Sequence, residues 1–165
     1  MDLLILVTLG TQDKKFARLL EAVQKQIELG IIKDRVVVQA GCTDFKSDDM
    51  EIFDLIPMEE FDKLIKECDV LITHGGVGSI IAGLKNNKKV IAAARLSEFK
   101  EHTNNHQLQI IENFSDSGYI LALNNFDELG DIIKNIKNFK PKKYKSNTKE
   151  FNKLVKDKIN FYIKK

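Results

Sequence analysis

The sequence predicts an α/β protein, with an open, mostly parallel β-sheet and helices packed on both of its faces. Two observations lead to this class. Short apolar runs alternate along the chain with stretches of helical periodicity. The apolar runs are also nearly continuous, which is typical of parallel strands that are covered on both sides. A chain of 165 residues with 43% hydrophobic residues is long enough to bury such a core as a single domain.

Six segments are predicted to be strands and six to be helices. The predicted strands are residues 3–9, 35–41, 50–56, 69–75, 88–95 and 119–124. The predicted helices are residues 14–30, 57–68, 78–87, 103–118, 126–139 and 148–165. One face of the first helix carries Phe16, Leu19, Leu20, Val23 and Ile27. Pro57 falls in the first turn of the second helix, Gly118 closes the fourth, and residues 42–49 are expected to form a loop.

The charges nearly cancel, with 26 basic and 24 acidic residues, so nothing points to a nucleic-acid partner and none is expected. Cys42 and Cys68 lie far apart and form no CxxC pair, which is typical of free thiols in a reducing compartment. The apolar N-terminus lacks a preceding basic region, breaks at Gly10 and is too short to span a bilayer. A buried first strand and a cytoplasmic location are therefore expected.

The stretch THGGVGS, residues 73–79, places three glycines where a strand passes into a helix. Glycine there costs conformational entropy, so the cluster needs a reason. One reason is a tight turn with close packing of the helix on the sheet. The other, which we favour, is that missing side chains let a phosphate reach the amides of the helix N-terminus. In that case Ser79 either caps the helix or binds the phosphate.

The same stretch is neither of two common nucleotide-binding motifs. It is not GxGxxG, because Ile81 stands three residues after Gly78, and it lacks the lysine of a P-loop. Dehydrogenase and NTPase functions are therefore disfavoured.

Two further loops follow predicted strands. The carboxyl ends of strands in a doubly wound sheet face one crevice, so Gly10 and Thr11 are expected to face the same ligand as the glycine loop. Taken alone, this pair is also explained by a simple turn. Residues 95–107, RLSEFKEHTNNHQ, hold two of the three histidines. A solvated loop capped by Thr103 or Asn104 would explain part of this cluster. Its amides, carboxylate and imidazoles suit hydrogen bonding to a sugar, ribose or base.

A metal site formed by the three histidines is not predicted. His74, His102 and His106 do not have the regular spacing of metal ligands.

Four segments in this order resemble the C-terminal, donor-binding domain of glycosyltransferase family 28. They are VTLGT (7–11), ITHGGVGSI (72–80), KKVIAAAR (88–95) and EHTNNHQLQI (101–110). The resemblance covers residues 3–124 and is strongest to the short stand-alone subunits of the family. Those act in bacterial capsule and exopolysaccharide synthesis, or add the second N-acetylglucosamine to a dolichol-linked oligosaccharide. The resemblance implies a Rossmann-like domain, the C-terminal half of the GT-B fold.

The resemblance also implies a set of substrate-binding residues. The diphosphate of a UDP-sugar would lie against Gly75, Gly76, Gly78 and Ser79, with His74 beside it as the candidate catalytic group. Gly10 and Thr11 would lie near the donor. The donor sugar and nucleotide would face the second polar cluster, namely Arg95, Glu101, His102, Asn105, His106 and Gln107.

One departure from the family concerns the ribose. Many members place a glutamate in the helix after the glycine loop to hold the ribose hydroxyls, whereas this chain has Ile81 and Ala82 there. Either Glu101 replaces that glutamate or the ribose is held differently.

The family pattern further implies a partner, because complete enzymes of this fold have two such domains and this chain has room for one. We expect residues 1–139 to form the nucleotide-sugar-binding domain and residues 140–147 a basic linker. Residues 148–165 form a helix that docks either on a partner or on its own domain. The partner would be a membrane-anchored subunit that binds the acceptor, so that the chain lies peripherally at the inner face of the membrane.

The expected reaction is inverting transfer of a hexose from a UDP-sugar to a lipid-linked acceptor in surface polysaccharide synthesis, with no cofactor or metal. The catalytic base would lie in the acceptor half. Two alternatives remain. A UDP-sugar epimerase shares the two-domain fold but is about twice as long, and a non-catalytic nucleotide-sugar-binding subunit would only activate or position a partner transferase.

Overall fold

A computed structural model describes residues 3–146, which form one six-stranded sheet with helices around it. The strands are β1 (Leu4–Thr8), β2 (Arg35–Gln39), β3 (Glu51–Phe53), β4 (Val70–His74), β5 (Lys89–Ala93) and β6 (Leu121–Ala122). The helices are α1 (Ala17–Glu28), α2 (Met58–Glu67), α3 (Val77–Lys85), α4 (His106–Asp116) and α5 (Leu129–Asn135). Short 3-10 turns are found at Ser97–Phe99, Phe126–Glu128 and Ile136–Asn138. The predicted helix 148–165 lies outside the described residues.

The sheet has the order β3-β2-β1-β4-β5-β6, and all of its described pairings are parallel. The strand order reverses between β1 and β4, where residues 5–8 pair with residues 70–73. In open α/β sheets, ligands bind outside the carboxyl ends of the strands at such a switch point. The ends of β1 and β4 carry the two glycine-containing loops, 9–12 and 73–79, that the sequence marked as ligand-binding.

Successive residues of the central strands point to opposite faces, so each face has its own core. Ile5 and Val7 pack with α1 and α5 on one side, whereas Leu6 packs with α2, α3 and α4 on the other. This confirms the prediction of helices on both faces. It also explains why the strands read as continuous apolar runs, since neither face is left to solvent.

Several predicted elements are longer than those in the structure: strand 50–56 is reduced to Glu51–Phe53, and helix 126–139 to Leu129–Asn135 between two 3-10 turns. Helix α4 begins at His106 rather than at 103, because Asn104 Oδ1 accepts from the His106 amide (3.0 Å) and Asn105 Oδ1 from the Ser97 amide (2.9 Å). These bonds hold the preceding residues as a polar loop. Strand β6 is shorter than predicted, with two residues at the edge of the sheet.

The basic segment that follows α5 returns to the domain. Residues 140–146 have no regular secondary structure, but the Lys142 amide donates to the Gly118 carbonyl (3.0 Å). The Tyr144 ring lies edge-on to Tyr119, with centroids 5.9 Å apart. Nowhere in residues 3–146 is there a helix with both the length and the apolar character to cross a membrane.

Candidate functional site

A crevice of about 490 Å³ opens at the carboxyl edge of the sheet, between the ends of β1 and β4. This volume is in the usual range for small-ligand sites. Six of the predicted site residues line it, namely Gly10, Thr11, His74, Gly76, Gly78 and Ser79. It is also lined by residues that the sequence did not single out: Thr8, Gln12, Gln39, Leu55, Ile56, Met58 and Phe61.

The N-terminus of α3 forms one wall of this crevice. The helix begins at Val77, with Gly76 in the cap position and no side chain bonded to its first amides. Ser79 is the third helical residue, so it does not cap the helix as one alternative had proposed. The first hydrogen bond of the helix is donated by the Ile80 amide to the Gly76 carbonyl, so the amides of residues 77–79 come before it and lack a partner in residues 3–146. They therefore present positive partial charge to the crevice.

The three glycines of the loop serve different purposes. A Cβ on Gly75 would lie 2.7 Å from Gln107 Cβ, and a Cβ on Gly76 would lie 2.7 Å from His74 Nε2. A Cβ on Gly78 would meet nothing within 4 Å. Gly75 and Gly76 thus make room for the protein's own side chains, which is the packing explanation. Gly78 alone faces open space, as the phosphate-binding explanation requires.

The His74 ring lies beneath the two glycine loops, with 7% of the residue exposed. A Cβ on Gly10, which has φ +77°, would lie 2.5 Å from His74 Nε2. Burial, together with the charges of Arg95 and His102, lowers the pKa of His74 to about 4. The ring is therefore neutral at physiological pH and stays neutral at mildly acidic pH, where a histidine with the usual pKa becomes charged.

Four residues predicted to bind substrate are instead buried and bonded within the protein. The Gly75 amide donates to Gln107 Oε1 (3.0 Å), so it is not available to a phosphate. Arg95, 1% exposed, donates from its guanidinium to the carbonyls of Leu9, Lys14 and Glu101. Glu101 is 4% exposed and forms a two-point ion pair with Arg18. These four residues, Gly75, Arg95, Glu101 and Gln107, therefore support the loops around the crevice rather than line it.

Three other predicted residues do not line the crevice. His102 is half-buried, its Nδ1 accepts from the Asn104 amide (3.2 Å) and its Nε2 lies 3.3 Å from Gln12 Nε2. Asn105 and His106 are exposed at the start of α4. No group of three or more His, Cys, Asp or Glu side chains in residues 3–146 is placed to hold a metal ion. The expectation that transfer needs no metal stays a prediction.

Most of the crevice lining that sequence reasoning missed comes from the end of β2, the β3–α2 loop and α2. Gln39 ends β2, and its Oε1 accepts from the Ile56 amide (3.1 Å), which holds the β3–α2 loop over the crevice. Leu55, Ile56 and Met58 come from that loop and the start of α2. Their position in the sequence could have identified these residues, because they too follow the carboxyl end of a strand in a parallel sheet.

Comparison with known proteins identifies the family of this domain. The family model described as glycosyltransferase family 28 C-terminal domain matches residues 4–160. This chain belongs to that family. The predicted resemblance is thereby confirmed, and the α/β fold with it.

One curated protein and two solved structures are similar to this chain. The UDP-N-acetylglucosamine transferase subunit ALG13 of Candida glabrata is 44% identical over 72 residues, which are 42% of this chain and 33% of that protein. The chain thus spans about one third of this curated relative. A solution structure of ALG13 has a TM-score of 0.58 and 20% identity, covering 93% of this chain and 94% of the other. The glycotransferase of kitacinnamycin has a TM-score of 0.61 and 19% identity over 82% of this chain and 34% of the other.

Glu101 does not replace the ribose-binding glutamate that the family resemblance led us to expect in α3. Ile81 and Ala82 are half-buried in α3, and Glu101 does not take over, because both of its carboxylate oxygens are engaged by Arg18 at 2.6 and 2.7 Å. Arg18 is held in turn by Phe99 and Phe126, whose ring centroids lie 4.0 and 4.7 Å from its Cζ. Of the two alternatives, the one in which Glu101 holds the ribose is therefore disfavoured, and ribose binding itself stays a prediction.

Proposed function

We propose that this chain is the donor-binding subunit of an inverting glycosyltransferase that uses a UDP-sugar. The observation that carries the proposal is the uncapped N-terminus of α3, with Gly78 facing open space, at the switch point of a parallel sheet. Three free amides, the helix dipole and the Ser79 hydroxyl would hold the diphosphate. The name of the Candida glabrata relative, a UDP-N-acetylglucosamine transferase subunit, supports an N-acetylated hexosamine as the sugar.

In this reaction the acceptor hydroxyl displaces UDP from the anomeric carbon with inversion. Negative charge then builds on the departing diphosphate, and the amides at residues 77–79 stabilise it without having to reorient. No carboxylate is found among the described residues that line the crevice. The base that removes the proton from the acceptor hydroxyl is therefore expected in the acceptor-binding half.

The acceptor half is proposed to be a second, membrane-anchored subunit that covers the carboxyl edge of the sheet and presents a lipid-linked sugar. Exposed apolar side chains at the carboxyl edge support this, and two of them, Leu55 and Met58, line the crevice. Large apolar side chains exposed at this edge are Phe53, Leu55, Met58, Val77, Phe99 and Leu108. Apolar side chains exposed together at one edge of the sheet suit a protein partner better than open solvent. Through this partner the chain would act at the inner membrane face, in synthesis of a surface glycan.

The missing ribose glutamate favours a second candidate function. In that alternative, the chain binds a nucleotide-sugar without contributing to catalysis and only activates or positions a partner transferase.

Calorimetric titration of the full chain with UDP, UDP-N-acetylglucosamine, ADP and NAD tests the ligand class. Gly78→Asp places a carboxylate in the first turn of α3, where the helix tolerates it but a diphosphate is repelled. We expect this variant to remain folded and to bind UDP at least about tenfold more weakly. Gly78→Asn is the neutral control of similar size. Equal UDP affinity for both variants, or no UDP binding by the unmodified chain, would overturn the proposal.

Turnover separates the two candidate functions. The Gly78→Asp variant, mixed with the acceptor subunit, should lose transfer if the bound donor is the reacting one. Undiminished transfer would identify a non-catalytic subunit.

A further inference from the structure

The Gln107 side chain has its orientation set by two backbone amides. Its Oε1 accepts from the Gly75 amide and from the Arg95 amide, both at 3.0 Å. Backbone N–H groups only donate, so the atom that faces them must be the amide oxygen. The end of β4 and the end of β5 are thereby joined through one buried side chain, 5% exposed.

The other end of the same amide faces His74. Gln107 Nε2 lies 3.3 Å from His74 Nδ1. Since the oxygen is fixed on the two amides, the nitrogen must be the donor and Nδ1 the acceptor. A neutral imidazole that accepts at Nδ1 carries its proton at Nε2.

We infer that Gln107 is a positioning residue that holds His74 as the Nε2–H tautomer, so that the ring donates a hydrogen bond into the crevice. The inference rests on the proposed function for the identity of the acceptor, which would be a diphosphate oxygen of the bound nucleotide-sugar. It assigns Gln107 a role through His74 rather than a contact with the sugar. His74 then acts as a hydrogen-bond donor and not as a base, because no lone pair of the ring faces the ligand.

The packing around the ring agrees with this role. Gly10 and Gly76 flank Nε2, and a Cβ on either would come within 2.7 Å of it. No side chain in residues 3–146 is bonded to Nε2, while Nδ1 is occupied by Gln107. Desolvation keeps the ring uncharged, with the pKa of His74 lowered to about 4. A neutral ring with a fixed tautomer needs no rearrangement when an anion arrives.

Long-range ¹H–¹⁵N correlation spectra of the full chain read the tautomer directly. At pH 7.5 we expect His74 to show a protonated Nε2 and an unprotonated Nδ1. Saturation with UDP should shift the Nε2 signal of His74 more than that of exposed His106. A proton on Nδ1 in the unmodified chain, or bound UDP that leaves Nε2 unshifted, would overturn the inference.

Gln107→Glu keeps oxygens for the two amides and removes only the donor to His74. Its carboxylate should draw a proton onto Nδ1, whether or not Nε2 also keeps one. The matched control is Gln109→Glu on the same helix, where Gln109 Oε1 lies 3.2 Å from Nδ1 of exposed His106; this variant should leave the His74 signals unchanged. An Nδ1 that stays unprotonated in Gln107→Glu would contradict the inference.

The two proposals fail separately. The tautomer is measured without ligand, so absence of UDP binding would defeat the proposed function and leave the tautomer assignment standing. UDP binding by a chain whose His74 carries its proton on Nδ1 would leave the proposed function standing and defeat the tautomer assignment.

Discussion

Arg18 and Glu101 form a two-point ion pair that joins α1 to the loop after β5, with Nε to Oε1 at 2.7 Å and Nη2 to Oε2 at 2.6 Å. The side chain of Glu101 is 5% exposed and that of Arg18 is 25% exposed. The Leu96 amide also donates to Glu101 Oε2 (3.0 Å). A carboxylate with its oxygens occupied in this way supports a loop rather than a ligand.

Glu101→Gln should therefore change stability more than ligand binding. Loss of the charge leaves Arg18 without a full partner and should lower the free energy of unfolding by about 2 kcal/mol. UDP affinity should stay within about twofold. Urea unfolding and calorimetry measure the two quantities.

The control for this variant is an exposed pair of the same geometry. Arg35 and Glu51 also form two bonds, at 2.7 and 2.8 Å, but their side chains are 56% and 49% exposed. Glu51→Gln should lower the free energy of unfolding by less than about 1 kcal/mol. Equal losses in Glu51→Gln and Glu101→Gln would show that burial does not strengthen the Arg18 pair.

Replacement of the buried arginine should loosen the first glycine loop. Arg95→Met keeps much of the volume but leaves the carbonyls of Leu9 and Lys14 without their donor. We expect the free energy of unfolding to fall by about 3 kcal/mol or more and hydrogen exchange in residues 9–14 to become faster. Unchanged exchange there would mean that Arg95 does not hold the loop.

Gly76 and Gly78, which are separated only by Val77, should respond differently to alanine. Gly76→Ala forces a Cβ against the His74 ring and should destabilise the protein by about 1–3 kcal/mol. Gly78→Ala meets no atom within 4 Å and lies inside a helix, so it should be neutral or stabilise by up to about 1 kcal/mol. Thermal unfolding of both variants measures the difference, and similar melting temperatures would refute it.

The lowered pKa of His74 predicts a specific pH dependence of stability. The unfolded histidine takes up a proton near pH 6.5, while the folded one does so only near pH 4. Stability is therefore lost as pH falls between these values, by at most about 3 kcal/mol from this residue. His74→Asn keeps an acceptor for Gln107 but does not titrate, so its stability should fall less over this range. Parallel pH profiles for the two proteins would show that His74 is not the group responsible.

Local sequence patterns determined most of the fold. Apolar runs and helical periodicity placed six strands and five described helices, and the parallel sheet followed from their alternation. Those signals are local, because strand and helix faces repeat every two or 3.6 residues. The same logic located the crevice, since the loops at residues 9–12 and 73–79 follow strands of one parallel sheet.

Tertiary structure alone decided what the polar residues of those loops do. Gly75 and Gln107 are 32 residues apart, and Arg18 and Glu101 are 83 apart, yet each pair is hydrogen-bonded. A buried polar group takes whichever partner the converging loops bring to it, and no periodicity encodes that choice. Chain order therefore predicted a polar cluster at the carboxyl edge, whereas the folded loops decided which members line the crevice and which support it.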